Sequence, residues 1–273
     1  MQLDSDFHPG WPVRQGDILG FWDWAQLPPL QRFGVVITAD CDLANGRSEQ
    51  DLAYLRIISQ IDYIDIFWAR TQLAKQFKKH LEELTQKINR LRQIKQAAIS
   101  LFSQDDIVDW VRRSSSDDIC DDLSIVDAKE RAKSKTHIEG VLKLVTVMAT
   151  PLDTPCLSHL VEFLGKERSD LLKKAKSELN KTPNEIFFIS CFRDSASDEG
   201  YYVLLDQIGI IRRDRVGDSM SALRSSTKLA YRFGRLSRTY KYAVAQQFAF
   251  LFQRIGLPDE HQARHGSALE KIA

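Results

Sequence analysis

Apolar and polar positions along the chain sort into three zones. In the first, roughly residues 11–65, short apolar runs are bounded by Gly, Pro and Asn, which is the text of β-strands. Asp17-Ile18-Leu19-Gly20-Phe21-Trp22 precedes a loop containing Pro28-Pro29. Gly34 to Thr38 is a β-branched run and Leu52 to Ile61 is another, with Asn45-Gly46 as a turn signal between these two. The run ending at Ile37-Thr38 stops on Asp40-Cys41-Asp42, three polar side chains delivered to a loop rim.

The second zone, roughly 66–182, changes period. From Leu73 the apolar residues fall at Phe77, Leu81, Leu84, Ile88 and Leu91, then Ala98, with Lys, Arg, Glu and Gln between them. Steps of fours and threes kept for about three heptads predict a long amphipathic helix. It packs either in an antiparallel hairpin of this chain or in an intermolecular coiled coil. Ser103 reads as the N-cap of a second helix with Asp105 and Asp106 in its first turn. Ser114-Ser115-Ser116-Asp117-Asp118 predicts an exposed loop. Further helices are expected at about 126–149 and 156–181, separated by Pro151 and Pro155.

The third zone returns to strands at Glu185–Phe192, Tyr201–Leu205, Ile208–Ile211 and Tyr231–Leu236. Ser237 then caps a helix whose apolar stripe is Tyr240, Val244, Phe248, Leu251, Phe252 and Ile255, closed by Gly256 and Pro258. Strands, helices and strands again predict an α+β protein. Residues 11–65 and 185–257 form one discontinuous β domain, and 66–182 form a helical insertion, which a surface loop tolerates because closure entropy grows slowly with length.

Composition narrows the function only a little. A net charge of +1 over 273 residues carries no global bias toward nucleic acid or membrane. Cys41, Cys120, Cys156 and Cys191 are widely spaced without a CxxC pair, so neither a zinc finger nor a disulfide framework is expected. No metal and no cofactor is expected. The first residues are acidic and no long apolar run occurs, so a cytoplasmic protein without a membrane span is expected.

Charge is concentrated locally. Between Arg212 and Lys241 stand nine basic residues against two acidic ones. Arg212, Arg213, Arg215, Arg232, Arg235, Arg238 and Lys241, interleaved with Tyr231, Phe233 and Tyr240, suit a groove in which cations meet phosphates and rings stack on bases. A face paired with the acidic segment Asp105 to Asp122, or with an acidic protein, reads equally from the same residues.

Asp40, Cys41 and Asp42 form a strand-end candidate site. Either they hold a metal or a thiolate nucleophile, or Cys41 is a small buried hydrophobe and the two Asp residues organise a turn; the second is the expectation. His261 and His265 have the four-residue spacing of a metal pair but lie in the tail, where surface histidines are expected. Trp11, Phe21, Trp22 and Trp24 supply a dense aromatic patch, expected mainly in the core.

Gly16-Asp17-Ile18, then Arg32-Phe33-Gly34-Val35-Val36-Ile37-Thr38, then Leu55-Arg56-Ile57-Ile58-Ser59-Gln60 and Leu205-Asp206-Gln207-Ile208-Gly209 together resemble the MazF/PemK type of toxin. Those proteins are small SH3-like β-barrels that cleave single-stranded RNA without a metal. The resemblance implies an SH3-like barrel built from the N- and C-terminal strands. It also implies nucleic-acid binding with metal-independent endoribonuclease activity of toxin or phage-defence type. Arg32 would match the family's arginine and Ser59 its Thr/Ser. An attacking 2′-OH needs a base and the phosphorane needs a cation, for which a guanidinium fork is suited. Phe33 stands where the family has Pro, and the helical insertion has no counterpart in the minimal toxins. The alternative is a non-catalytic accessory subunit whose helical insertion docks a larger protein partner or a second copy.

Overall fold

A computed structural model describes all residues except 1–2, 5–6, 9, 24, 46–50, 96–99, 181–182, 191–199, 221–226 and 254–273. The chain divides into a sheet unit, Met1–Gln60 with Lys181–Ala273, and a helical unit, Ile61–Asn180. Thus the protein is α+β, with the helices inserted between two sets of strands.

The sheet unit is a seven-stranded mixed sheet. Its strands are β1 (Asp17–Phe21), β2 (Phe33–Val36), β3 (Asp51–Ser59), β4 (Ile186–Ile189), β5 (Tyr201–Arg212), β6 (Val216–Gly217) and β7 (Ala230–Arg235). They lie in the order β4-β5-β3-β2-β1-β7-β6, antiparallel except for the β6–β7 pair. Among the described residues the sheet is open: β4 and β6 stand at its two edges. This corrects the expectation of a closed barrel, because closure needs the two edge strands to pair.

Adjacent residues of a strand point to opposite faces, and here both faces are covered. Ile18, Val35, Leu55, Ile57, Val203 and Leu205 form one core with Val244 of the last helix, and Tyr240, Phe248 and Leu251 pack on its edge. Leu19, Val36, Leu52, Tyr54, Ile211 and Ala230 form the other, with Leu43 from a short helix, α1 (Asp40–Ala44). Burial on both sides explains why β1 and β2 are continuous apolar runs rather than alternating ones.

Two irregularities position side chains. Register jumps between Leu55 and Arg56: Leu55 faces Ile208 but Arg56 faces Leu204, so Leu205, Asp206 and Gln207 bulge from β5. The two strands read separately from sequence at Tyr201–Leu205 and Ile208–Ile211 are therefore one bent strand. In β7, Ile18 faces Gly234 but Leu19 faces Arg232, leaving Phe233 as an extra residue.

The helical unit follows the chain from α2 (Gln60–Tyr63) through a π-helical turn, Ile64–Trp68, into α3 (Ala69–Lys95). Then come α4 (Gln104–Arg113), α5 (Ser116–Asp122), α6 (Ala128–Met148), α7 (Leu157–Leu164) and α8 (Arg168–Leu179). Leu81, Leu84 and Ile88 of the α3 seam are buried against Ile107 and Val111 of α4, Ile119 of α5 and Ile138 and Val141 of α6. The seam is covered within the chain, which removes the intermolecular coiled coil as its use.

Ser103 caps α4 in a capping box with Asp106, as its position implies. The expected loop at Ser114–Asp118 is instead a second capping box, Ser115 with Asp118, that starts α5. Serine followed three residues later by an acid is a helix-start signal as well as a loop signal. The helix expected over 156–181 is divided at Gly165, whose φ of 60° ends α7 in the left-handed region. The final helix of the sheet unit is α9 (Arg238–Gln253), with Ser237 before it. Phe252, Ile255, Gly256 and Pro258 concern side chains or residues outside those described. No described helix is long and apolar enough to cross a membrane.

Candidate functional site

The basic stretch is dispersed by the fold. Asp17 is wholly buried on β1, and two of the arginines expected to face nucleic acid are buried against it. Arg235 donates from Nε to Asp17 Oδ1 at 2.5 Å, and Arg232 from Nη1 to Asp17 Oδ2 at 3.2 Å. Arg232 also reaches Asp218 at 2.8 Å, and Arg235 the carbonyl of Pro12 at 3.2 Å. Residues three apart on a regular strand face opposite ways. Phe233, bulged out between them, brings Arg232 opposite Leu19 and Arg235 opposite Asp17, on one face. Placing Arg232 and Arg235 in a nucleic-acid groove is therefore corrected: they neutralise a buried carboxylate, as burial of a charge demands.

Lys241 is committed as well. Its Nζ donates to Asp40 Oδ2 at 2.7 Å, while Asp40 Oδ1 accepts from the Gln15 backbone N–H at 2.9 Å. Burial raises the Asp40 pKa, but the Lys241 bond, the Gln15 N–H and the charges of Lys241 and Arg14 outweigh it and hold the carboxyl below its usual value. Gly16, at φ 88°, lies under the Lys241 stem: a Cβ there would sit 3.1 Å from it. Asp40 is thus the first residue of α1 and part of a bridge from the segment just before β1 to α9.

Cys41 is exposed, which corrects its expected place in the core. The residues after Ala39 turn into a helix rather than continuing the strand, so the strand rule that sent the thiol inward does not apply. Among the described cysteines Cys120 and Cys156 are buried, and burial raises the pKa of both. Trp11 and Trp22 are also exposed, at 44% and 45%, against the core expectation; Trp22 lies just past the end of β1 at Phe21, and Trp11 lies before β1 outside any strand. Trp24, His261 and His265 lie outside the described residues.

Arg212 is exposed and pairs with Asp214 at 2.8 Å; Arg215 donates to the Thr227 carbonyl; Arg238 lies over the Tyr242 ring. Arg213 shares the 3₁₀ turn after β5. Arg212 faces Asp51 at the start of β3.

Arg32 and Ser59 come to the other end of β3. In the β2–β3 ladder Phe33 faces Ile57, so Arg32 just before β2 and Ser59 at the end of β3 share one end of the sheet. Arg32 Nε donates to the Leu27 carbonyl at 2.9 Å, and Arg56 Nη1 to the Leu30 carbonyl at 2.7 Å. Both guanidinium groups brace the Pro28–Pro29 loop. Gln60 Nε2 donates to the Tyr202 hydroxyl at 3.0 Å beside them, and burial raises the Tyr202 pKa. Eight residues of strand, about 26 Å at 3.3 Å each, separate Ser59 from Asp51. The expected catalytic pair and Arg212 therefore occupy opposite ends of β3.

Within the helical unit, α3, α6 and α7 border a groove of about 1490 Å³. Leu73, Leu91, Leu142 and Val147 supply apolar wall; His80, Glu83, Lys87, Glu130, His137 and His159 supply polar groups. Lys87 pairs with Glu130 at 2.5 Å and donates to Ser134 at 3.0 Å. No motif in the sequence singles out His80 and Glu83. Their i,i+3 spacing on a helix was the available signal, but nothing in the sequence paired them with His137.

Neither a family model, nor a curated protein, nor a solved structure matches the chain.

Proposed function

We propose that the sheet unit binds single-stranded RNA at the end of the sheet that carries Arg32 and Ser59, and cleaves it without a metal. One observation carries this reading: the β2–β3 register brings together the two residues that the MazF/PemK resemblance pairs, although they are distant in sequence. Arg32 supplies the cation for a phosphate, held in place through its Nε bond to the Leu27 carbonyl. Ser59, at the end of β3, assists. The reading depends on the β2–β3 pairing, not on closure of the sheet into a barrel, and it takes the setting to be a reducing cytoplasm. Arg212, at the opposite end of β3 from Ser59, would contact only RNA long enough to span that strand.

The test is cleavage of end-labelled single-stranded RNA by the full chain, with and without EDTA. EDTA-resistant cutting that leaves 2′,3′-cyclic phosphate ends, and is lost in Arg32→Ala and Ser59→Ala, supports the reading. RNA binding without cutting, weakened by Arg32→Ala and steeply salt-dependent, retains the site and removes the catalysis. Absence of binding at low salt overturns both.

A further inference from the structure

The geometry points to a divalent transition-metal site in the helical unit, formed by His80, Glu83 and His137, with zinc as the ion its donors fit. It rests on the helical unit alone and stands or falls separately from the RNA reading.

His80 and Glu83 are three apart on α3 and so share a face of that helix. His137 comes from α6, whose core residues Ile138 and Val141 join those of α3 in one cluster. One ligating atom from each of the three residues lies within 4.8 Å of the other two. Donors about 2.1 Å from a tetrahedral zinc are about 3.4 Å apart, so small side-chain rotations close the set.

The second shell is already in place. His137 Nε2 lies 3.1 Å from the backbone carbonyl of His80. A carbonyl only accepts, so this contact calls for the proton on Nε2, which would leave Nδ1 as the nitrogen that binds the metal. The carbonyl of one ligand residue thereby orients the ring of the other. The His80 ring meets His137 edge-on at 5.4 Å and Phe163 of α7 edge-on at 5.3 Å, which pins it between two helices. Glu83 is exposed, and its 4.0 Å pair with Lys79 is a weak solvent-facing contact that yields to a cation.

The chemistry of the set selects the ion. Two imidazoles and one carboxylate suit zinc, whereas magnesium and calcium take oxygen donors. Three protein ligands leave a fourth position, which opens on the groove between α3, α6 and α7. Water or a small anion entering that groove would complete the shell.

The experiment uses the full chain, stripped with EDTA and desalted, then titrated with ZnCl2 by calorimetry and with CoCl2 by visible absorption. One tight equivalent of zinc is expected, with a low-symmetry Co2+ spectrum that zinc displaces. Removing a ligand costs more than removing a supporting group, so His80→Ala, His137→Ala and Glu83→Gln should each weaken binding by about 100-fold or more. Glu83→Gln is an exposed, isosteric change, so its effect is read in a folded protein, checked by circular dichroism. His159→Ala, in the same groove but outside the cluster, should bind as the wild type does, and so should the double variant His261→Ala/His265→Ala. Absence of stoichiometric zinc uptake by the wild type overturns the site. Uptake that survives Glu83→Gln and His80→Ala, or that is lost in the His261→Ala/His265→Ala variant, overturns it equally.

Discussion

Asp17 and Arg235 face each other directly across the β1–β7 ladder, the carboxylate wholly buried and the guanidinium nearly so. Arg232 supplies a second cation to the same carboxylate from the far side of the Phe233 bulge. Removing one member of a buried pair leaves an uncompensated charge, which costs about 3–5 kcal/mol. Asp17→Ala should therefore lower stability by that amount, read as a fall in the urea midpoint. Arg235→Ala should cost less, because Arg232 still faces the carboxylate, and the double variant should cost less than the sum of the two, because the Asp17–Arg235 contact is lost only once. Additive losses would show that the two groups do not interact.

This arrangement marks where the sequence was readable and where it was not. Apolar runs at β1 and β2, the α3 seam and the Ser103 cap declare themselves because period and capping chemistry are local. The fate of the arginines is not local. Counting nine basic residues against two cannot say which ones face inward, since that depends on the bulge at Phe233 and on a carboxylate more than two hundred positions away. Cys41 misled for a related reason: period-two alternation predicts burial only while the strand continues, and it stops before Asp40. His80, Glu83 and His137 converge only once α3 and α6 pack, so nothing in the one-dimensional text joined them.

The thiols give a direct check on the placement of α1. Cys41 is exposed, whereas Cys120 and Cys156 are fully buried with raised pKa values. In a Cys191→Ser background, a thiol reagent should modify the native protein at one position at the rate of an accessible cysteine. The additional change Cys41→Ser should abolish that phase. The two remaining thiols should react only with unfolding, because the thiolate is the reactive form and burial disfavours it. A fast phase that survives Cys41→Ser would contradict the burial of the helical core.

Tyr54 explains two glycines in the sheet. Its ring lies over Gly34 on one side and Gly209 on the other, and a Cβ would come within 2.5 Å and 2.2 Å of it respectively. Gly209 faces Tyr54 directly in the ladder. Gly209→Ala should force the ring aside and cost about 1–3 kcal/mol, the usual range for overpacking. Tyr54→Ala removes the obstruction while opening a cavity. In the double variant the Gly209→Ala penalty should therefore largely disappear, a coupling measurable by a denaturation cycle. An unchanged penalty would place the ring elsewhere.

The Asp40–Lys241 bridge predicts a defined pH dependence. Its carboxyl has a folded pKa below the ordinary 3.8, because Lys241 and the Gln15 N–H outweigh the effect of burial. A group whose folded pKa is depressed binds fewer protons in the native state than in the unfolded one. Its contribution to stability is therefore complete above the unfolded value, near pH 4, and is lost as pH falls through the folded value. Asp40 is 41% exposed, so solvent screening limits the contribution to about 1 kcal/mol or less. Asp40→Asn should accordingly be less stable than the wild type at pH 7, with the gap narrowing below pH 4 and vanishing at still lower pH. Lys241→Met should show the same closing gap, since it removes the cation that depresses the carboxyl. High salt should shrink the difference at pH 7 in both variants. A gap that stays constant from pH 7 down to pH 2 would mean that Asp40 acts through packing of α1 rather than through its charge.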